Sequence, residues 1–273
     1  GDSNTYNFAL GGATTESFLG SGFNEQTGSP FVNNRFRQVA GSGVLDFGHL
    51  FIGGNDVIQQ GILGGKWLLV DPVTAAAFPD FFPDAIGLWN DITGNYTTGL
   101  AYATNNGNHP VQMVLSNYPD LGTIPLTAGL PQAQKDILGQ WVDALNALLV
   151  DVMAAQYNAP VIDLHSWWED VRSAGGTTMY GNYVPASQWF IADGLHPTAI
   201  AHAAWSELFV DAVNTRGAGL APLTEKEMVH YSGLDPNDAP VAHAGGPYII
   251  DAGDGLSLNA GLSSDADPLD TLT

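Results

Sequence analysis

VLDFGHLFIGG, residues 44–54, is an apolar run stopped by a glycine pair. A run of that length with that ending reads as a buried strand. Asn55 follows at once, which projects its side chain at the strand's carboxyl edge, where ligands bind in open α/β sheets. TYNFAL at 5–10, VQMVLSNYP at 111–119 and PVIDLH at 160–165 read as strands in the same way. Helical patterns lie between them. The clearest is 131–157, where Pro131 suits a first turn and Ile137, Leu138, Trp141, Val142, Leu145, Leu148, Leu149, Val152 and Met153 share one broad apolar face. A second helix runs from Pro197 to about Val213, with Ile200, Ala204, Leu208 and Val213 turned inward. Strands alternating with helices predict an α/β fold with a mostly parallel sheet covered on both faces. Residues 59–108, rich in Gly, Asn, Thr and aromatics, predict irregular backbone with short helices, either shaping a cleft or decorating the fold.

The 273 residues are 45% hydrophobic, enough for one sizeable core and a smaller piece. Net charge is −21, from 22 Asp and 6 Glu against 3 Lys and 4 Arg. Such a surface repels nucleic acid and anionic membranes, so no nucleic-acid partner is expected. It is tolerable where salt screens self-repulsion, which points to a secreted or extracellular setting as readily as to an ordinary acidic protein. There is no cysteine, which excludes disulfides, thiolate metal sites and a cysteine nucleophile. No run of 18 apolar residues exists, so no transmembrane segment is expected, and no signal peptide or initiator methionine is visible.

Composition changes after Arg216. We divide the chain into a main domain at 1–216, a loop-rich linker at 217–239 and a β-patterned segment at 240–273. PVAHAGGPY and GLSLNAGLSSDAD in that last segment resemble the start of a PKD-type module. A sandwich of that kind needs roughly 100 residues. With 34 present, only an incomplete β-sandwich segment is expected, offering contact to a polysaccharide or another surface.

Three short segments carry chemistry: NFALGGATT at 7–15, IGGNDV at 52–57 and DGLHPT at 193–198. In the last, Asp193 stands three residues before His196 and can fix the tautomer of that general base. Asn55 offers an amide donor in a glycine turn, and Gly12 a backbone N–H that can approach a developing oxyanion closely. Each has a plainer explanation, as a helix-start histidine, a turn asparagine or a turn glycine. Asp56 reads as a loop buttress. The other histidines, at 49, 109, 165, 202, 230 and 243, show no metal-ligand spacing. The acidic turns DAGDG and SSDADPLD are explained by turn chemistry as well as by calcium. No metal and no cofactor are expected.

In this order and spacing, the three segments resemble the GDSL or SGNH hydrolases, a family of serine esterases and lipases, over about residues 5–215. MVLSNYPDLGTIPLT at 113–127 is similar to the strand and loop of the secreted phospholipase, lecithinase and thermolabile-hemolysin branch. The resemblance implies a three-layer, flavodoxin-like sandwich and an acyl-enzyme mechanism on a small-molecule or lipid ester. It makes His196 the base, Asp193 its orienter, and Gly12 and Asn55 the oxyanion donors. A carbohydrate-deacetylating esterase is the alternative substrate class, and a non-catalytic binding or adhesion protein on the same fold is the alternative outside enzymes. The family's nucleophile sits in a Gly-Asp-Ser, which Gly1-Asp2-Ser3 matches. Only eight residues separate Ser3 from Gly12, too few for the helix the family places there. We therefore expect that Ser3 matches by coincidence and that the nucleophile and first strand precede residue 1.

Overall fold

The computed structural model describes residues 14–18, 23–24, 29–30, 46–104, 110–179, 181–234 and 241–264, apart from 246, 252 and 254. Ser3, Gly12 and the strand expected at 5–10 lie outside those residues. A helical turn, α1 (Thr15–Phe18), and an antiparallel pair, β1 (Phe23–Asn24) and β2 (Ser29–Pro30), come first. The sheet that positions the site is β3 (Phe47–Leu50), β4 (Gln112–Ser116) and β5 (Val161–Ile162), parallel and adjacent in that order. Phe47 pairs with Gln112 and Leu50 with Leu115, and Ser116 with Ile162. Parallel strands put all three exits on one edge.

Successive side chains of β4 alternate between faces. Met113 and Leu115 join Leu50 in the larger core, while Val114 joins Ile162, Leu164, Ala212 and Val213 in a smaller one. Helices therefore cover both faces of the sheet, as the alternating pattern predicts. The first core is built against α4 (Pro83–Thr104) and α5 (Gln132–Ala147), the second against α8 (Ala199–Asn214).

The stretch 59–108 differs from the sequence reading. It holds the end of α2 (Asp56–Leu63, π-helical), α3 (Pro72–Ala77) and the 22-residue α4. Ala85, Leu88, Ile92, Tyr96, Leu100 and Ala103 recur at steps of three and four and are buried. Gly, Asn and Thr at the positions between them mask that stripe in composition. The helix expected at 131–157 runs as α5, a π-helical stretch at Leu148–Ala154 and a last turn, α6 (Ala155–Tyr157). Val152, expected inward, is exposed. The π-helical turn rotates the apolar stripe past it. Gln132–Tyr157 is long and apolar enough to cross a membrane by length and hydropathy, and its buried face, with Leu138, Trp141, Leu145 and Leu149, belongs to the core.

After β5 come α7 (Leu164–Ser173), a hairpin of β6 (Gly176–Met179) and β7 (Asn182–Pro185), then α8. Within the loop-rich 217–239, the structure builds α9 (Glu225–Ser232). A capping box of Thr224 and Glu227 starts it, and Met228 is buried as it packs on α8. Beyond it, the described residues of 241–264 hold one bridge, Val241 with Ser264, and no sandwich.

Candidate active site

His196 sits on a loop whose shape is set by one carboxylate. Asp193 Oδ1 accepts from the backbone N–H of Leu195 at 2.9 Å and of His196 at 3.0 Å. Its Oδ2 lies 2.6 Å from His196 Nδ1. A carboxylate only accepts, so Nδ1 carries the proton and Nε2 is left as the basic nitrogen. The hydrogen bond to the His196 ring, helped by the two backbone N–H groups, pulls the Asp193 pKa down to about 2. Both side chains remain open to solvent, His196 at 61% and Asp193 at 44%. Pro197 then leads into Thr198, whose hydroxyl caps the start of α8.

The loop is fastened on both sides. Ile191 N–H donates to His196 O at 2.9 Å and Thr198 N–H to Trp189 O at 3.1 Å. Gly194 has φ +72, and a Cβ there would stand 2.6 Å from Leu126 N, so only glycine fits. Leu126 N–H donates to Gly194 O at 3.0 Å, which docks the histidine loop on the segment that follows β4.

Asn55 stands at the carboxyl edge of the sheet, at the start of α2 after the exit of β3. Its side chain makes no cap to the helix it precedes, so helix capping does not explain its choice. The turn before it is gripped by two buried tyrosines. Ile52 N–H donates to Tyr96 Oη at 3.2 Å, both hydroxyls reach the Ile52 carbonyl, and they lie 2.9 Å from each other. Burial pushes the Tyr96 pKa up to about 12 and that of Tyr118 well above its usual value, so both stay protonated. Gly53 has φ +98, and a Cβ on it would meet Tyr118 Oη at 2.6 Å. Sequence reasoning missed this tyrosine pair. Tyr118 lay in the quoted 113–127 segment, but nothing local marks which backbone group it holds.

Asp56 is the buttress expected of it. Its buried carboxylate accepts from Thr15 N–H at 2.8 Å and Thr15 Oγ1 at 3.1 Å, and Asn95 donates to the same hydroxyl at 3.0 Å. Thr15 closes the first chemical segment and Asp56 belongs to the second, so the two meet in space. The 113–127 segment joins the second to the third, with Tyr118 on the Asn55 turn and Leu126 on the His196 loop. Phe51 and Trp205 of α8 add a ring contact at 6.5 Å across the same edge. The structure thus pairs Asp193 with His196 and sets Asn55 at the start of α2, after the exit of β3. Gly12 and Ser3 lie outside the described residues.

A serine–histidine pair is present elsewhere, on the sheet. His49 Nε2 lies 2.7 Å from Ser116 Oγ on the face of the sheet toward α8. His49 keeps an open edge, but its ring is crowded by Phe51 and Phe209, and desolvation pushes its pKa down to about 4. Ser116 is 1% exposed, beyond the reach of an ester. This pair is a sheet contact. Asn117, Asp163 and His165 form another, with Asn117 donating to Asp163 at 2.8 Å and accepting from His165 N–H at 3.0 Å.

Among the described residues no cluster of His, Asp or Glu is arranged to hold a metal ion. What remains is an imidazole oriented by a carboxylate, and an asparagine at the carboxyl end of β3, residue types that acyl transfer can use. No curated protein and no solved structure matches the chain. The family profile described as GDSL-like lipase/acylhydrolase matches residues 1–209. On that match, which spans all three chemical segments, the chain belongs to the GDSL-like lipase/acylhydrolase family.

Proposed function

We propose that this protein hydrolyses carboxylic esters through an acyl-enzyme, with His196 as general base and acid. The observation that carries this is the Asp193–His196 pair at 2.6 Å, on a loop tied through Leu126 to the segment that also holds the Asn55 turn. A serine hydroxyl attacks the acyl carbonyl as His196 Nε2 takes its proton. Asp193 steadies the imidazolium that forms. Asn55 Nδ2–H and Gly12 N–H donate to the oxyanion. The tetrahedral intermediate collapses, His196 returns the proton to the departing alcohol, and water repeats the sequence to release the acid. The strongly acidic surface supports a saline, extracellular setting for this work.

Turnover of a soluble short-chain ester by the full-length protein, with a fluorophosphonate probe and peptide mapping, tests the assignment. His196→Ala lowers kcat by about 10³ or more, and Asp193→Ala by less. Label on Ser3 would assign the nucleophile there and overturn the spacing argument against it. Near-normal turnover by the His196 variant, or a wild-type protein with no labelled serine, would overturn the hydrolase reading in favour of a binding protein on this fold.

A further inference from the structure

We propose that the surface formed by residues 63–81 docks on a zwitterionic phospholipid surface, bringing an aggregated lipid ester to the site; its purpose rests on the ester-hydrolase reading above. Five large apolar side chains are exposed within this short stretch: Leu63 at 74%, Leu69 at 78%, Val73 at 77%, Phe78 at 54% and Phe81 at 80%. The Phe78 and Phe81 rings stand edge to face at 6.4 Å, so part of the patch is contiguous. Helix α3, PVTAAA, has no charged residue. Its exposed positions Val73, Ala76 and Ala77 share one face at steps of three and four, while Ala75 on the other side is buried. A water-exposed helix face is ordinarily polar, so this one marks an interaction surface.

The patch is held rigidly from below. Trp67 stacks on Trp141 at 4.7 Å and 3°. Trp67 Nε1 donates to Ala85 O at 3.2 Å and Trp141 Nε1 to Val70 O at 2.8 Å. The segment is thereby fixed to α4 and α5, and its outer side chains cannot fold into a core already filled by tryptophan. It is also joined to the site. Asn55 precedes α2 and Leu63 ends it, so at helical rise the two are within about 12 Å along the axis.

Charge selects the occupant. Within residues 63–81 the charged side chains are Lys66, Asp71 and Asp80, one cation against two carboxylates and so a net of −1, in a chain of net charge −21. The Asp71 carboxylate is engaged in capping α3, accepting from Thr74 N–H at 2.9 Å. An anionic bilayer is repelled by the molecule as a whole, and a second copy would bring like charge against like. A zwitterionic surface presents no net charge and accepts apolar side chains.

Flotation of the full-length protein with phosphatidylcholine vesicles, and separately with phosphatidylglycerol vesicles at low salt, reads the docking. Turnover of a soluble short-chain ester is measured in parallel. Wild type floats with phosphatidylcholine and less with phosphatidylglycerol. Each exposed ring moved into lipid is worth about tenfold in partitioning, so Phe78→Ser with Phe81→Ser weakens vesicle binding by about 100-fold. The same double variant keeps its turnover of the soluble ester. Wild type that turns over soluble ester but does not float overturns the docking and leaves the hydrolase standing. Wild type that floats without turnover does the reverse. Equal flotation of the double variant, a preference for phosphatidylglycerol, or a wild-type dimer that the double variant converts to monomer with no flotation, each overturns the docking.

Discussion

Asp193 does two tasks with one carboxylate. It closes the loop through two backbone N–H groups and holds the His196 ring through its other oxygen. Its folded pKa of about 2 lies below the usual 3.8. For a depressed carboxylate, the stabilisation is fully present above the unfolded value and is lost as pH falls through the folded one. The Asp193 contribution is therefore intact at every pH above about 4 and disappears toward pH 2, and Asp193 does not shape a pH–rate profile near neutrality. A carboxyl-carbon NMR titration should place its midpoint near 2; a midpoint near 3.8 would mean that the pair does not form in solution. Asn55 offers a sharper test of chemistry. Asn55→Ala should lower kcat by about 10²–10³ with little change in KM. A change confined to KM or to melting temperature would mark it as a turn residue. The Asp193–His196 pair was legible because D-x-x-H closes on itself, and the position of Asn55 because the Gly-Gly before it announces the strand exit.

Elements hold these residues in place through contacts that local reading does not contain. The turn at Ile52 depends on Tyr96 from α4 and on Tyr118 after β4. Tyr118→Phe removes one hydroxyl from a buried pair and should destabilise by about 1–3 kcal/mol in urea unfolding. It should also reduce kcat more than it raises KM, because the Asn55 turn loses a fastening. Unchanged kcat in a folded variant would show that the turn holds without it. Helix α4 makes the second prediction at this scale. Leu100 is fully buried on its inward stripe. Leu100→Ala should cost about 2–5 kcal/mol. A cost below about 1 kcal/mol would return the stretch to the surface decoration that its composition suggests.

The whole molecule carries a net charge of −21, from 28 acidic side chains against 7 cationic ones. Arg172 is held by Glu169, and Lys66 reaches Gln60. Self-repulsion of this size is long-ranged and screened by salt. Melting temperature should rise steadily as sodium chloride increases toward about 1 M, where the Debye length is near 3 Å. A flat or falling trend between low and high salt would show that local contacts already absorb the charge. The same field keeps anionic surfaces away, and the 63–81 face, with a net charge of −1, carries little of it.

Backbone periodicity announced β3, β4 and β5, the long helix after Pro131 and the helix after Pro197, because each is written in residues one to four apart. The α4 stripe was there too, hidden because small and polar residues fill the positions between its buried ones. The exposure of Val152 was not, since a π-helical turn shifts a stripe without changing the residues that compose it. Least legible were the three fastenings of the site. Asp56 with Thr15 spans 41 residues and Tyr118 with Ile52 spans 66, and Leu126 reaches across to Gly194 from the other side of β5. No propensity or pattern within a turn or two encodes such pairs. They join segments far apart in the chain, and only the assembled fold determines which of them stand within a hydrogen bond of one another.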